Sequence, residues 1–114
     1  MKIIEDKITI SELKGMSENM FDNLVKAVVD IEKGIMVVDA PMHVDQETEL
    51  LQSGSKQQDL WGINLRPQFY GKDDFIEFDS MINLRPGQNN RSRSVENPKT
   101  RERVIKIVDK LVVK

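Results

Sequence analysis

A chain of 114 residues, 39% hydrophobic and 32% charged, has the size and balance of one soluble globular domain with a modest core, expected to span residues 1–114. No apolar run approaches the ~20 residues of a membrane helix, the start MKIIEDKITI lacks the apolar core of a signal peptide, and the absence of cysteine removes disulfide frameworks, thiolate metal sites and cysteine nucleophiles. The formal net charge of −2 conceals an asymmetry: seven cations (Arg85, Arg91, Arg93, Lys99, Arg101, Arg103, Lys106) face two anions (Glu96, Glu102), so this stretch carries +5 on a remainder of −7.

In chain order, Lys2 to Glu5 reads as a short edge strand. Thr9 is placed as a helix N-cap, with Glu12 three residues on to complete a capping box and Ile8 to staple onto Leu13. Gly15 then breaks the first turn and Ser17 caps a fresh start. From Glu18 to Glu32 the apolar positions Phe21, Leu24, Val25, Val28 and Ile31 follow helical spacing, with Gly34 as the stop, which predicts the principal helix there. Ile35 to Val38 is a continuous β-favouring run, expected inside a sheet with both faces covered, and Met42 to Val44 extends it. Asp45 is set to cap a short helix from Gln46 to Gln52, ended by Gly54.

The stretch Asp59 to Pro86 contains Ile-Asn-Leu-Arg-Pro twice, at Ile63–Pro67 and Ile82–Pro86. Both copies look like strand ends, because apolar residues alternate with polar ones and the prolines stop the ladder. Seven residues, Pro67 to Asp73, join the two runs, too few for a parallel crossover of about a dozen. The expectation is an antiparallel hairpin with Arg66 near Phe75, Asn64 near Glu77 and Gly62 near Asp79. Arg66 and Arg85 then lie at opposite ends, each pairing with a carboxylate; a parallel arrangement would gather them into one anion clamp. After a polar loop, Asn97-Pro98 starts a closing helix to about Val113 with Val104, Ile105, Val108, Leu111 and Val112 as its stripe.

The residues VKAVVDIEKGIMVVDAPMHVDQETELLQSGSKQQDLWGINLRP, with IEFDSMINLRPGQNNRSRSVENP, resemble a family of small, single-domain prokaryotic proteins catalogued only as a domain of unknown function. The resemblance spans nearly the whole chain, including both pentapeptides, Gly54 to Gly62 and the Asn-Arg-Ser-Arg loop. It implies a prokaryotic, cytoplasmic, stand-alone domain and transfers no mechanism.

Four kinds of chemistry suit the remaining residues. Asn89, Asn90, Arg91 and Arg93, with Arg85, lead to the start of the last helix, where N–H groups and the helix dipole attract a phosphate, a nucleotide or an RNA backbone. Long duplex nucleic acid is disfavoured by the pI of about 5.4. His43, the one histidine, shares a side with Asp45 in an extended segment, a weak metal pair matching no dedicated spacing. His43, Glu77, Asp79, Arg85 and Arg91 supply the types a small hydrolase or ribonuclease needs, without a glycine-rich phosphate loop, a Gly-x-Ser-x-Gly elbow or a His-Glu-x-x-His pair. Trp61, Phe69 and Tyr70 form an aromatic group suited to protein–protein interaction. The expected fold is α+β: a mainly antiparallel three- or four-stranded sheet, two long helices on one face and one short edge helix. The expected function is non-enzymatic capture of an anionic or phosphorylated ligand by Arg85, Asn89, Asn90, Arg91 and Arg93, with no cofactor, the alternatives being a small hydrolase and an interaction module.

Overall fold

The computed structural model describes residues 1–20 and 22–114 in full. Val25–Asp30 (β3) pairs antiparallel on both sides, with Ile35–Val38 (β4) and with Leu60–Leu65 (β5). The helix expected over Glu18–Glu32 is thereby corrected to a central strand; Phe21, counted on that helix, lies outside the described residues. Val25, Val28 and Val29 are β-branched, which restricts them in a helix and suits them to a pleated surface. Asp22 and Asn23 take φ of 63° and 52°, left-handed geometry that these two residue types tolerate and that ends any helix before the strand. Gly34, at φ 70°, closes a hairpin rather than a helix: its N–H donates to the Asp30 carbonyl at 2.9 Å. The Asp30 carboxylate holds the same turn by accepting the Glu32 and Lys33 N–H groups, each at 2.9 Å. Both faces of β3 are covered, so strand alternation is lost and the apolar spacing imitates a helix.

Lys2–Ile4 (β1) pairs with β4, and Ile76–Glu77 (β6) with β5, so the sheet has five strands in the order β1-β4-β3-β5-β6, all neighbours antiparallel. The fold is α+β, but the sheet is larger than expected and the helices are placed differently. Ile10–Ser17 (α1) and Pro98–Leu111 (α3) cover one face, burying Leu13, Val104, Val108 and Leu111 against Ala27 and Ile63. His43–Gln52 (α2) covers the opposite face, with Leu50 against Val28, Val37 and Leu60. Burying a leucine or valine in full contributes ~1.5–3 kcal/mol, so both layers hold the sheet. Ile8–Thr9 (β2) and Val112–Val113 (β7) pair in parallel, which ties the segment before α1 to the segment after α3. Among the described residues no helix is long and apolar enough to cross a membrane.

Helix starts follow local chemistry where the capping residue is present. Thr9 caps α1, its Oγ1 accepting the Glu12 N–H at 3.1 Å, and Gly15 stays inside that helix. Asn97 caps α3 by accepting from the Lys99 N–H at 2.8 Å and the Thr100 N–H at 3.3 Å. α2 begins three residues before the expected position, at His43, so Met42–Val44 is not a strand extension and Asp45 lies in the first turn rather than at the cap. Met42 occupies the N-cap and makes no side-chain capping bond.

The hairpin forms as far as Asn64 opposite Glu77, with the Arg66 N–H donating to the Phe75 carbonyl at 2.9 Å. Beyond Glu77 the chain leaves the ladder, because Gly62 offers a bare patch of sheet over which it can pass. A Cβ at Gly62 would lie 2.5 Å from Ser80 Oγ. The second pentapeptide is therefore no strand; Met81–Asn83 is a 3₁₀ turn, and the Asn83 side chain replaces the missing backbone rung. Its Oδ1 accepts the Gly62 N–H at 2.8 Å and its Nδ2 donates to the Gly62 carbonyl at 2.9 Å.

Candidate functional site

The loop after Pro86 is organised by Asn90, which is buried. Its Nδ2 donates to the Asn83 and Ser94 carbonyls, each at 2.7 Å, and its Oδ1 accepts the Glu96 N–H at 2.9 Å. Asn90 is thus committed to the loop itself, and its backbone pairs with that of Arg85. The Arg85 guanidinium lies 4.0 Å over the Trp61 ring and donates to the Gln57 and Leu60 carbonyls. Among the described residues it has no carboxylate partner within ion-pair distance. Burial pulls its pKa below the usual arginine range, and the Glu47 carboxylate offsets part of that pull. Arg93 turns to the α2 side, its Nε donating to Asp79 Oδ1 at 2.6 Å. Asn89, at φ 59°, and Arg91 are exposed. The five residues expected to share one ligand therefore face different neighbours, and Asn97 already satisfies the first amides of α3.

A better-equipped hollow lies at the start of α2. It encloses about 240 Å³ and is lined by Lys26, Met42, His43, Ser80, Met81 and Arg93, among others. The start of α2 borders it without a side-chain cap, its Asp45 N–H donating to the Met42 carbonyl at 3.2 Å, and the positive end of the helix dipole lies there. Lys26 on β3 and Arg93 on the loop contribute two cations. Met42, Val44 and Met81 are exposed apolar residues that also line it. Arg93 is the one expected ligand residue found here. Lys26 and the α2 start were missed, because the lysine read as the solvated side of a helix and the helix start as a strand.

His43 ties this corner together. It is only 8% exposed, and its Nε2 lies 2.7 Å from the Ile63 carbonyl. A carbonyl only accepts, so Nε2 carries the proton. Burial holds the imidazole pKa down at about 4; the Ile63 bond opposes that shift, Lys26 and Arg93 add to it, and Asp79 counters it. Beside it Asn64 donates to Glu77 Oε1 at 2.8 Å and to the Asp79 carbonyl at 3.3 Å, while Arg66 pairs with Glu77 at 3.1 Å. Of the groups expected for hydrolysis, His43, Asp79 and Glu77 are gathered on the α2 side, and Arg85 and Arg91 belong to the loop. Arg66 and Arg85 sit at opposite ends of β5, Arg66 just after Leu65 and Arg85 at the Leu60 carbonyl, although the second pentapeptide is no strand.

His43 and Asp45 line different hollows, Asp45 facing Met1, Asp39 and Pro41. Among the described residues no three His, Cys, Asp or Glu side chains are gathered to hold a metal ion. The aromatics divide as well. Trp61 is buried, Tyr70 packs edge-on against Phe75 with ring centres 5.2 Å apart, and Phe69 is exposed.

No curated protein and no solved structure matches the chain. A family model described as "Protein of unknown function (DUF5674)" matches residues 2–111. The match covers every element from β1 to α3, and the chain belongs to that family.

Proposed function

We propose that the protein is a non-enzymatic binder of a small phosphorylated ligand, working in a prokaryotic cytoplasm and holding the phosphate where the start of α2 meets Lys26 and Arg93. The observation that carries this reading is the hollow itself, lined by the start of α2, where no side chain caps the helix, and by two cations. Asp79 already pairs with Arg93, but both side chains are about half exposed and such a pair contributes only ~0–1 kcal/mol, so a phosphate displaces it at little cost. The exposed Met42, Val44 and Met81 suit the apolar or aromatic body of a nucleotide-like molecule, thioethers being good contacts for rings. Arg91 adds to the positive field that steers an anion. A short RNA would use the same contacts.

A hydrolase is the second reading, favoured by the proximity of His43, Asp79 and Arg93. Against it, an imidazole with a pKa of about 4 is a weak base near neutral pH.

Titration with adenosine monophosphate, inorganic phosphate and a short oligoribonucleotide, followed by backbone amide shifts, tests the reading. Saturable shifts at His43–Asp45 and Lys26 are expected at millimolar ligand or below, weakened about tenfold by Arg93→Gln or Lys26→Gln. Amides at His43–Asp45 that stay still in every titration refute it.

A further inference from the structure

On the other side of the sheet, a hollow of about 380 Å³ lies between the loop after Pro86 and the first turn of α3. Gln58, Trp61, Gln88, Asn89, Glu96 and Thr100 line much of it, with Ile31 as the apolar wall. Its chemistry differs from that of the α2 hollow. Among the described residues no cation lines it, one carboxylate does, and the α3 amides behind it are capped by Asn97. An anion would find no opposite charge here and one like charge.

The hydrogen-bonding capacity left over is neutral and mixed. Gln88 Nε2 donates to the Gln58 carbonyl at 3.2 Å, which leaves its Oε1. Glu96 Oε2 accepts the Arg91 N–H at 3.1 Å, which leaves its Oε1. The Gln58 and Asn89 amides and the Thr100 hydroxyl are uncommitted among the described hydrogen bonds. Trp61 is 5% exposed, and its Nε1, itself buried, has no hydrogen-bond partner among the described residues. A nucleobase would need an aromatic face to stack on, and Arg85 already covers the indole at 4.0 Å.

We propose that this hollow is a binding site for an uncharged polyhydroxylated ligand of monosaccharide size, either a free sugar or the sugar moiety of a nucleoside. Hydroxyls both donate and accept, so they match interleaved amides, a hydroxyl and a carboxylate oxygen better than any ligand of one polarity. The site stands independently of the phosphate reading, on different residues and the opposite face.

Trp61 is the one tryptophan in the chain, so its indole N–H signal and its fluorescence report directly on the hollow. The probes are D-glucose, D-ribose, adenosine, 2′,3′-dideoxyadenosine and sodium sulfate. Saturable movement of the indole signal and of the Asn89–Asn97 amides is expected with a free sugar or with adenosine, and none with sulfate. Binding of the free sugars identifies that source; binding of adenosine but not of its dideoxy form identifies a nucleoside. Gln58→Ala and Thr100→Ala, both away from the core, should each weaken binding roughly fivefold without moving the urea midpoint. Equal binding of adenosine and dideoxyadenosine, or no saturable shift with any polyol at tens of millimolar, overturns the proposal.

Discussion

At Gly62 any side chain would run into Ser80, and at Asn83 the side-chain carboxamide offers a donor and an acceptor at the spacing of a peptide group. Gly62→Ala forces Ser80 and the turn above it to shift, since the added carbon lies 2.5 Å from Ser80 Oγ; overpacking of this kind costs ~1–3 kcal/mol. Asn83→Ala leaves the buried Gly62 N–H and C=O without partners, a loss of ~2–6 kcal/mol at ~1–3 per group. Urea unfolding midpoints measure both, and an Asn83→Ala variant as stable as the parent would show that the amide is no structural rung. This pair also marks where the sequence stops being legible. Asn64 and Asn83 occupy equivalent places in the two pentapeptides, yet one is a strand residue bonded to Glu77 and the other a side-chain surrogate for a strand. Local pattern is identical, and only the bare glycine on a neighbouring strand separates their roles.

Among the elements, α3 and β4 were legible because cap, stripe and β-branched run all agree with the tertiary structure, whereas β3 was not. Its valines sit at helical spacing only because the two sheet faces demand them on both sides, and the Asp22-Asn23 break was the local signal to the contrary. The α3 cap gives a direct measure of the legible part: Asn97→Ala removes two accepted N–H bonds and should cost ~1 kcal/mol in urea unfolding. The start of α2 provides the opposite experiment. Met42→Ser installs an N-cap where none exists and is expected to raise stability by ~0.5–1 kcal/mol. The same hydroxyl occupies amides that the proposed phosphate would use, so affinity for inorganic phosphate should fall as stability rises. A variant that gains stability and keeps full phosphate affinity would place the anion elsewhere.

For the molecule as a whole, acid sensitivity is set in part by its one histidine. The unfolded chain takes up a proton on His43 near pH 6.5, while the folded protein resists until about pH 4 because the ring is buried and faces Lys26 and Arg93, with Asp79 in partial compensation. The unfolded state therefore binds more protons between those values. The contribution of His43 to stability is complete above about pH 6.5 and is lost progressively as pH falls towards 4, by on the order of 3 kcal/mol in total and about 2 kcal/mol between pH 7 and 5. Stability measured across this window should decline in the parent chain and decline less in His43→Gln, and the imidazole signal should titrate near pH 4. A signal titrating near 6.5, or equal slopes in the two proteins, would refute this. The same titration reaches the proposed ligand, because a phosphate bound at the start of α2 adds negative charge beside the ring and favours its protonated form. Linkage is reciprocal: if inorganic phosphate raises the His43 midpoint, its affinity must increase by the matching factor as pH falls through that range, whereas an anion bound at the α3 side of the sheet would leave the midpoint where it was.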